Sequence, residues 1–216
     1  MKLVDFNSPE KELLLELFMD IPMMDKWIAN IVESYIYSLV ETYYPKQENK
    51  LKSRYFIRYD KIHGEYKKWY PGQMNEVKNS QLWIDTTYKN GKIDGEYKIW
   101  DNHGHIKIHS KYTLGRLNGT YKDYYSNGQL CTESTYVKGK LEGEYKKYWE
   151  NGQLYIQTTY TDGKFNGEYK EYSDNGYLRI ETTYILGKQH GIRKTYNLQG
   201  NLDFQDRYAE GKLQVR

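Results

Sequence analysis

The sequence predicts a mainly β fold: an elongated, single-sheet antiparallel β-hairpin repeat, a solenoid, with an N-terminal helical segment. Three observations lead there. Glycine returns at a fixed interval of 24 residues at Gly95, Gly119, Gly143, Gly167 and Gly191, and again at Gly104, Gly128, Gly152, Gly176 and Gly200. Tyrosine keeps the same beat at Tyr88, Tyr112, Tyr136, Tyr160, Tyr184 and Tyr208, and series that share one period mark an internal repeat. The apolar pattern also changes near residue 45, from helical spacing before it to strict alternation after it. Residues 1–50 therefore read as a helical segment and 51–216 as the repeats.

The helical segment opens at Ser8, a capping residue, followed by Pro9 at the first helical position and by Glu10 and Glu12 in the first turn. Leu13, Leu14, Leu17 and Phe18 form one apolar side. Ile21-Pro22 breaks the run, because proline disfavours helical angles in the residue before it. A second helix is predicted over 23–43, with two adjacent apolar columns, Ile28-Val32-Ile36-Val40 and Ile31-Tyr35-Leu39-Tyr43. Pro45 and the polar run after it end the segment. So wide a stripe has to be covered, which predicts homodimerisation or partner binding through Ile28, Ile31, Val32, Tyr35, Ile36 and Leu39, with capping of the sheet as the alternative.

Each repeat is two short strands and two turns. Asn151-Gly152 and Asp162-Gly163 are hairpin signals, since glycine reaches left-handed backbone angles without steric cost. In the second strand, Leu154, Ile156, Thr158 and Tyr160 alternate with Tyr155, Gln157 and Thr159, so one side should be buried and the other wet. The first strand holds aromatics three apart, as in Tyr97/Trp100, Tyr121/Tyr124, Tyr145/Tyr148 and Tyr169/Tyr172. A flat strand puts such a pair on opposite faces; a bulge would bring the two together. Pro71–Val77 reads as an insertion, and about 13 strands are expected in all, giving a length near 60 Å at roughly 4.8 Å per strand. At the far end Arg193 replaces a repeat tyrosine and Asp206 takes an inward threonine slot.

Composition narrows the chemistry. Lys plus Arg is 32 and Asp plus Glu is 29, a formal net charge of +3, too even for a strong nucleic-acid track. The 25 Tyr and 5 Trp argue against disorder. The one cysteine, Cys131, excludes an internal disulfide, and no stretch reaches the roughly 18 apolar residues of a membrane span. With Glu10, Glu12 and Glu16 interrupting the first apolar run, a soluble intracellular, cytoplasmic protein is expected. Nucleophile elbows, phosphate-binding loops and zinc-protease signatures are absent. Glu96, Glu144 and Glu168 recur in register, as solvated strand residues do and a catalytic acid does not. His103, His105 and His109 read as a basic patch lacking the further ligands of a zinc site. No catalytic residue, metal or cofactor is expected, and the many glycines are assigned to the hairpin turns.

The glycine and tyrosine grammar resembles that of MORN-repeat proteins, in the 24-residue variant also seen in bacterial antitoxin-like proteins and in large DNA viruses. The matching residues are Gly95, Tyr97, Trp100 and Gly104; Gly119, Tyr121, Tyr124 and Gly128; Gly143, Tyr145, Tyr148 and Gly152; and Gly167, Tyr169, Tyr172 and Gly176. The resemblance covers roughly residues 55–216. It implies a non-enzymatic protein–protein interaction scaffold, and, from some family members, peripheral binding to anionic lipid. Residues around Leu17, Ile21-Pro22, Ile28 and Ile31 are similar to an F-box-like segment, which implies an adaptor with N-terminal recruiting helices. Among the repeats, Trp83, Lys107, His109, Lys111 and Tyr155 stand out as a candidate interaction surface on the polar face.

Overall fold

A computed structural model describes residues 38–43, 51–58, 61–70 and 81–214. All strands lie in one antiparallel sheet in sequence order. They are β1 (Ser38–Tyr43), β2 (Leu51–Arg58), β3 (Lys61–Trp69), β4 (Leu82–Lys89), β5 (Lys92–Trp100), β6 (Ile106–Thr113), β7 (Arg116–Tyr124) and β8 (Leu130–Val137). The meander continues through β9 (Lys140–Tyr148), β10 (Leu154–Thr161), β11 (Lys164–Tyr172), β12 (Leu178–Ile185), β13 (Lys188–Tyr196), β14 (Leu202–Ala209) and β15 (Lys212–Leu213). At roughly 4.8 Å per strand, the 15-stranded sheet extends about 70 Å.

The sheet exceeds the expected 13 strands partly because the end of the expected second helix is a strand. Ser38–Tyr43 pairs along β2, with Val40 opposite Tyr55 and Glu41 opposite Arg54. The stretch holds Val40, Thr42 and Tyr43, residue types that favour strands, and β2 would otherwise present an unpaired edge. Pairing with that edge overrides a helical period read from a stripe too wide to choose between structures. The rest of the predicted helical segment, and Pro71–Val77, lie outside the described residues.

The two turn types differ in kind. At one end of the sheet the strands are joined by two-residue turns with both residues at positive φ, as in Asn90-Gly91 (51° and 77°) and Asp162-Gly163 (52° and 79°). This hand matches the twist of the strands it joins. At the other end, Gly152 N donates to Trp149 O at 2.9 Å and Trp149 N to Gln153 O at 2.8 Å, closing a three-residue loop with Gly152 at φ 83°.

Turns also bond to turns. Gly163 N donates to Leu141 O in the preceding unit at 2.9 Å, and Gly187 N to Phe165 O at 2.7 Å. At the opposite end, Asn127 Nδ2 donates to Glu150 O at 2.7 Å and Asn151 Nδ2 to Asp174 O at 2.6 Å. Asn151 Oδ1 meanwhile accepts from Gln153 N at 2.9 Å, so the side chain shapes its own loop and ties it to the next.

The glycine series at Gly95, Gly119, Gly143, Gly167 and Gly191 is not in the turns, as expected from sequence, but inside β5, β7, β9, β11 and β13. Gly167 has φ 122° and sits where the register of β11 against β10 slips between Thr158 and Tyr160. A Cβ built there would stand 2.3 Å from Thr159 Oγ1. At Gly163 the φ is also positive, but nothing lies within 4 Å of such a Cβ.

No large hydrophobic residue among those described is buried. The residues that are buried are small and hydroxylated: Thr86, Ser110, Ser134 and Thr158 are 1–2% exposed. Register explains why. A continuous cross-strand row runs Tyr66, Thr86, Tyr97, Ser110, Tyr121, Ser134, Tyr145, Thr158, Tyr169, Thr182. Thr86, Ser110, Ser134 and Thr158 each lie between two tyrosines and are roofed by them, while Thr182, last in the row, has Tyr169 on one side only. Beside this row stand the beat tyrosines, packed edge-on against their neighbours: Tyr97–Tyr112, Tyr121–Tyr136, Tyr145–Tyr160 and Tyr169–Tyr184 have ring centroids 5.6–6.0 Å apart. At the end of the row, Arg193 faces Asp206 in place of the tyrosine and threonine of inner units.

Two stability outcomes follow. Gly167→Ala should cost about 2–3 kcal/mol, because it combines a disallowed backbone angle with a close contact, whereas Gly163→Ala should cost about 1 kcal/mol. Denaturant midpoints of the two variants check the order. Thr158 Oγ1 is buried without a hydrogen-bond partner, so Thr158→Val, which keeps the shape and removes the hydroxyl, should raise stability by about 1 kcal/mol. A lowered melting temperature in that variant would contradict the roofed-hydroxyl account.

Candidate functional site

The sheet has two faces of different chemistry, and a bulge in every unit decides which residue goes where. Between β9 and β10, Tyr148 pairs with Leu154 and Lys147 with Ile156, which leaves Tyr155 as the extra residue. The same slip sets Trp83, Lys107, Cys131, Arg179 and Asp203 at the extra position of their strands. The register carries Leu154 away from Ile156 and Thr158 and onto the face of Tyr148. Tyr155 turns to the tyrosine face, where its ring lies 4.1 Å from that of Trp149. The aromatics three apart are thus on opposite faces, and the bulge falls in the partner strand.

On the first face, a row of lysines alternates with acceptors across successive strands: Lys98, His109, Lys122, Glu133, Lys146, Gln157, Lys170, Glu181, Lys194. Ion pairs close along it. Lys122 reaches Glu133 at 2.7 Å, Lys146 reaches Glu144 at 2.9 Å, Lys170 reaches Glu168 at 2.9 Å and Lys194 reaches Glu181 at 2.6 Å. Glu181 also accepts from Tyr196 Oη at 2.8 Å. His109 Nε2 pairs with Glu96. Hydrogen bonds donated to the carboxylates raise the pKa of Lys122, Lys146 and Lys170, and the same kind of bond accepted from a lysine lowers Glu144 and Glu181. Each such exposed pair contributes at most about 1 kcal/mol. A shallow depression here is lined by Glu144, Gln157, Thr159, Glu168 and Lys170, and both carboxylates are already matched to a lysine.

The second face carries the Tyr66, Tyr97, Tyr121, Tyr145 and Tyr169 row and the beat tyrosines beside it. Outboard of them, towards the three-residue loops, are aromatic pairs with an amine above. Tyr70 stacks on Trp83 at 5.0 Å with Lys68 Nζ 4.1 Å from the Trp83 ring, and Lys147 Nζ lies 5.8 Å from the Tyr155 ring beside Trp149. Bonds to the next unit fix their orientation: Tyr70 Oη donates to Trp100 O at 3.0 Å, Tyr125 Oη to Tyr148 O at 2.7 Å, and Trp149 Nε1 to Tyr172 O at 3.1 Å.

The expected surface is therefore divided. Trp83 and Tyr155 lie on the tyrosine face, Lys107 holds the equivalent bulge position, and His109 and Lys111 belong to the ion-pair face. His105 is drawn to the loop, its Nδ1 3.3 Å from Asp101 Oδ2. Cys131 shares the bulge column but on the tyrosine face, 3.7 Å from Thr132 Oγ1. Sequence reasoning singled out neither Trp149 nor Asp123; the signal was present for Trp149, since the position after the repeat aromatic pair is also aromatic at Tyr70 and Tyr125, though not at Asp101 or Ser173. Ile28, Ile31, Val32, Tyr35 and Ile36 lie outside the described residues, and Leu39 is in β1.

Among the described residues no group of three or more His, Cys, Asp or Glu is placed to hold a metal ion, and no helix is long and apolar enough to cross a membrane. The family model described as a MORN repeat variant matches residues 117–138, 141–162 and 165–185. Each matched segment is one hairpin, β7–β8, β9–β10 or β11–β12, so the described units there are MORN-like repeats. No curated protein matches the chain. Among solved structures, it is similar to a chain in a crystal structure of the GtfA/B complex bound to UDP and GlcNAc, at 17% identity and a TM-score of 0.25. That likeness covers 64% of this chain and 26% of the other, so this chain spans about a quarter of its length.

The tyrosine face makes stability depend on alkaline pH. Tyr121 is pushed up to about 12, mainly by burial and next by Asp123. Burial also raises Tyr66, Tyr97, Tyr145 and Tyr160 above their ordinary value of 10.0. These phenols are neutral in the folded chain while the unfolded chain ionises near 10. Their stabilisation is therefore complete below about pH 10 and is lost as pH rises from there through about 12. Tyrosinate absorbance should show a class of phenols that ionises only as the sheet's circular dichroism collapses.

Proposed function

We propose that the chain is a non-enzymatic scaffold that binds a protein partner along its tyrosine face. What supports this reading is the contrast between the faces. Carboxylates of the ion-pair face have lysines or a histidine of their own, so a charged partner would have to displace contacts already made. The tyrosine face offers half-buried rings: Tyr70, Tyr125 and Trp149 are oriented by hydrogen bonds to the next unit, and Trp83 and Tyr155 pack against Tyr70 and Trp149. Rigid aromatic side chains supply contact area at small entropic cost and dominate the energetics of many interfaces. Among the described residues the single layer also leaves a long surface open, as repeat proteins do where they bind extended partners. The MORN-like repeats over 117–185 agree with that use.

The test separates the faces. Trp83→Ser with Tyr155→Ser alters the tyrosine face, and Lys122→Ala with Lys170→Ala alters the other. Each variant and the wild type is used to capture proteins from extracts of the native cell, and a captured protein is then purified for direct titration. The wild type and the lysine variant should bind it with affinities within about threefold, and the aromatic variant should bind at least about tenfold more weakly. Equal binding by all three folded proteins, or loss only in the lysine variant, would overturn the reading.

A further inference from the structure

Asp123 lies in β7 between Tyr121 and Tyr125, each two residues away and so on the same face. Its cross-strand partners are Ile108 and Thr132, neither of them charged. Carboxylate oxygen Oδ1 is buried and accepts no hydrogen bond among the described residues. This is unlike the carboxylates of the opposite face, and unlike Glu171 in the same row, which accepts from Tyr169 Oη at 3.0 Å. The unit between them has Lys147 at this position, two strands from Asp123 with Thr132 intervening, where its amine lies against the Tyr155 ring instead.

The charge of Asp123 is felt by three phenols. After burial it is the largest cause of the raised Tyr121; it adds to burial at Tyr145, and at Tyr125 it adds to the larger effects of the Cys131 hydrogen bond and burial. A carboxylate stripped of donors on one oxygen and set among ring faces attracts a cation twice over, through its charge and through the ring quadrupoles. A bare metal ion would need further ligands, and none are grouped here among the described residues. A guanidinium suits the site better than an ammonium. Its plane can lie on a tyrosine ring while an N–H group at its edge donates to the carboxylate. The Trp149–Tyr155 pair, two to three strands away or roughly 10–15 Å, is within reach of the residues flanking such an arginine in an extended segment.

We propose that Asp123, framed by Tyr121, Tyr125 and Tyr145, is the seat for an arginine side chain of the protein partner. The proposal rests on the scaffold reading and gives it a chemistry: the partner presents a basic residue to β7 and apolar residues towards β9 and β10.

The test uses the full chain and small probes. N-acetyl-arginine methylamide is titrated against protein with labelled tyrosine rings, followed by nuclear magnetic resonance, with N-acetyl-citrulline methylamide as the uncharged analogue of the same shape. Saturable shifts at Tyr121, Tyr125 and Tyr145 are expected for the arginine probe, with at least about tenfold weaker response to the citrulline probe. Asp123→Asn should weaken arginine binding by at least about tenfold, while Glu171→Gln should leave it within twofold. Tyr125→Leu, which keeps the carboxylate and removes one ring, should weaken it severalfold and serves should Asp123→Asn fail to fold. No shift up to about 50 mM probe, equal response to both probes, or binding indifferent to these changes at Asp123 and Tyr125 would overturn the proposal. If a partner still depends on Trp83 and Tyr155 while the arginine probe ignores Asp123, the scaffold reading stands and this site falls; if neither dependence is seen, both fall.

Discussion

Tyrosine rings closing over a serine or threonine are the interaction on which this sheet depends. Among the described residues there is no second layer for the sheet to bury its side chains against, and none of the large hydrophobic residues is buried. Burial has to be found within the layer, between neighbours along the same face. Alternating a large ring with a small hydroxylated residue lets each ring lean over the gap beside it, which is why Ser110 and Thr158 are the most enclosed side chains. The small residue must be small for the rings to meet across it. The hydroxyls of Ser110, Ser134 and Thr158 lack partners, so their value to the fold is volume and strand preference and not hydrogen bonding.

Two other devices keep the rings in place. Turn-to-turn hydrogen bonds along both long edges fix each hairpin relative to the one before, through the Gly163 amide at one end and the Asn151 side chain at the other. The bulge in each second strand then reassigns one residue per unit from the ion-pair face to the tyrosine face. This is how a repeat keeps its framework constant while varying what it displays. The extra position is Trp83 in one unit, then Lys107, Cys131, Tyr155, Arg179 and Asp203. The framework positions hardly change over the same units.

The two faces divide the work. The ion-pair face matches Glu96, Glu133, Glu144, Glu168 and Glu181 to a histidine or a lysine and keeps that side of the sheet wetted. The tyrosine face has the rings, the displayed bulge residues and Asp123. That an unpaired carboxylate sits on the aromatic face and not among the lysines is what gives a protein-binding reading a definite chemistry.

Much was legible in the sequence because the repeat states the same pattern many times. The 24-residue period, the hairpins and the antiparallel order of the strands follow from glycine and tyrosine spacing alone, since each unit reports the same turn demand and the same alternation. Arg193 opposite Asp206 could also be read as a paired departure at the end of the array. The face of each residue could not be read. A one-residue bulge reverses the parity of everything beyond it, and the bulge positions have no residue type in common, so simple alternation puts Tyr155, Trp83 and Leu154 on the wrong sides. The in-strand glycines read as turn glycines in the sequence because both need positive φ, and only strand register separates the two uses. The strand at Ser38–Tyr43 was hidden for a related reason: a wide apolar stripe fits helix or strand, and the free edge of β2 decided between them. Asp123 illustrates the same boundary. Its identity is in the sequence, but that its carboxylate lies among three tyrosines without a lysine opposite depends on which residues the neighbouring strands bring into register, and pairing between strands is a property of the assembled sheet.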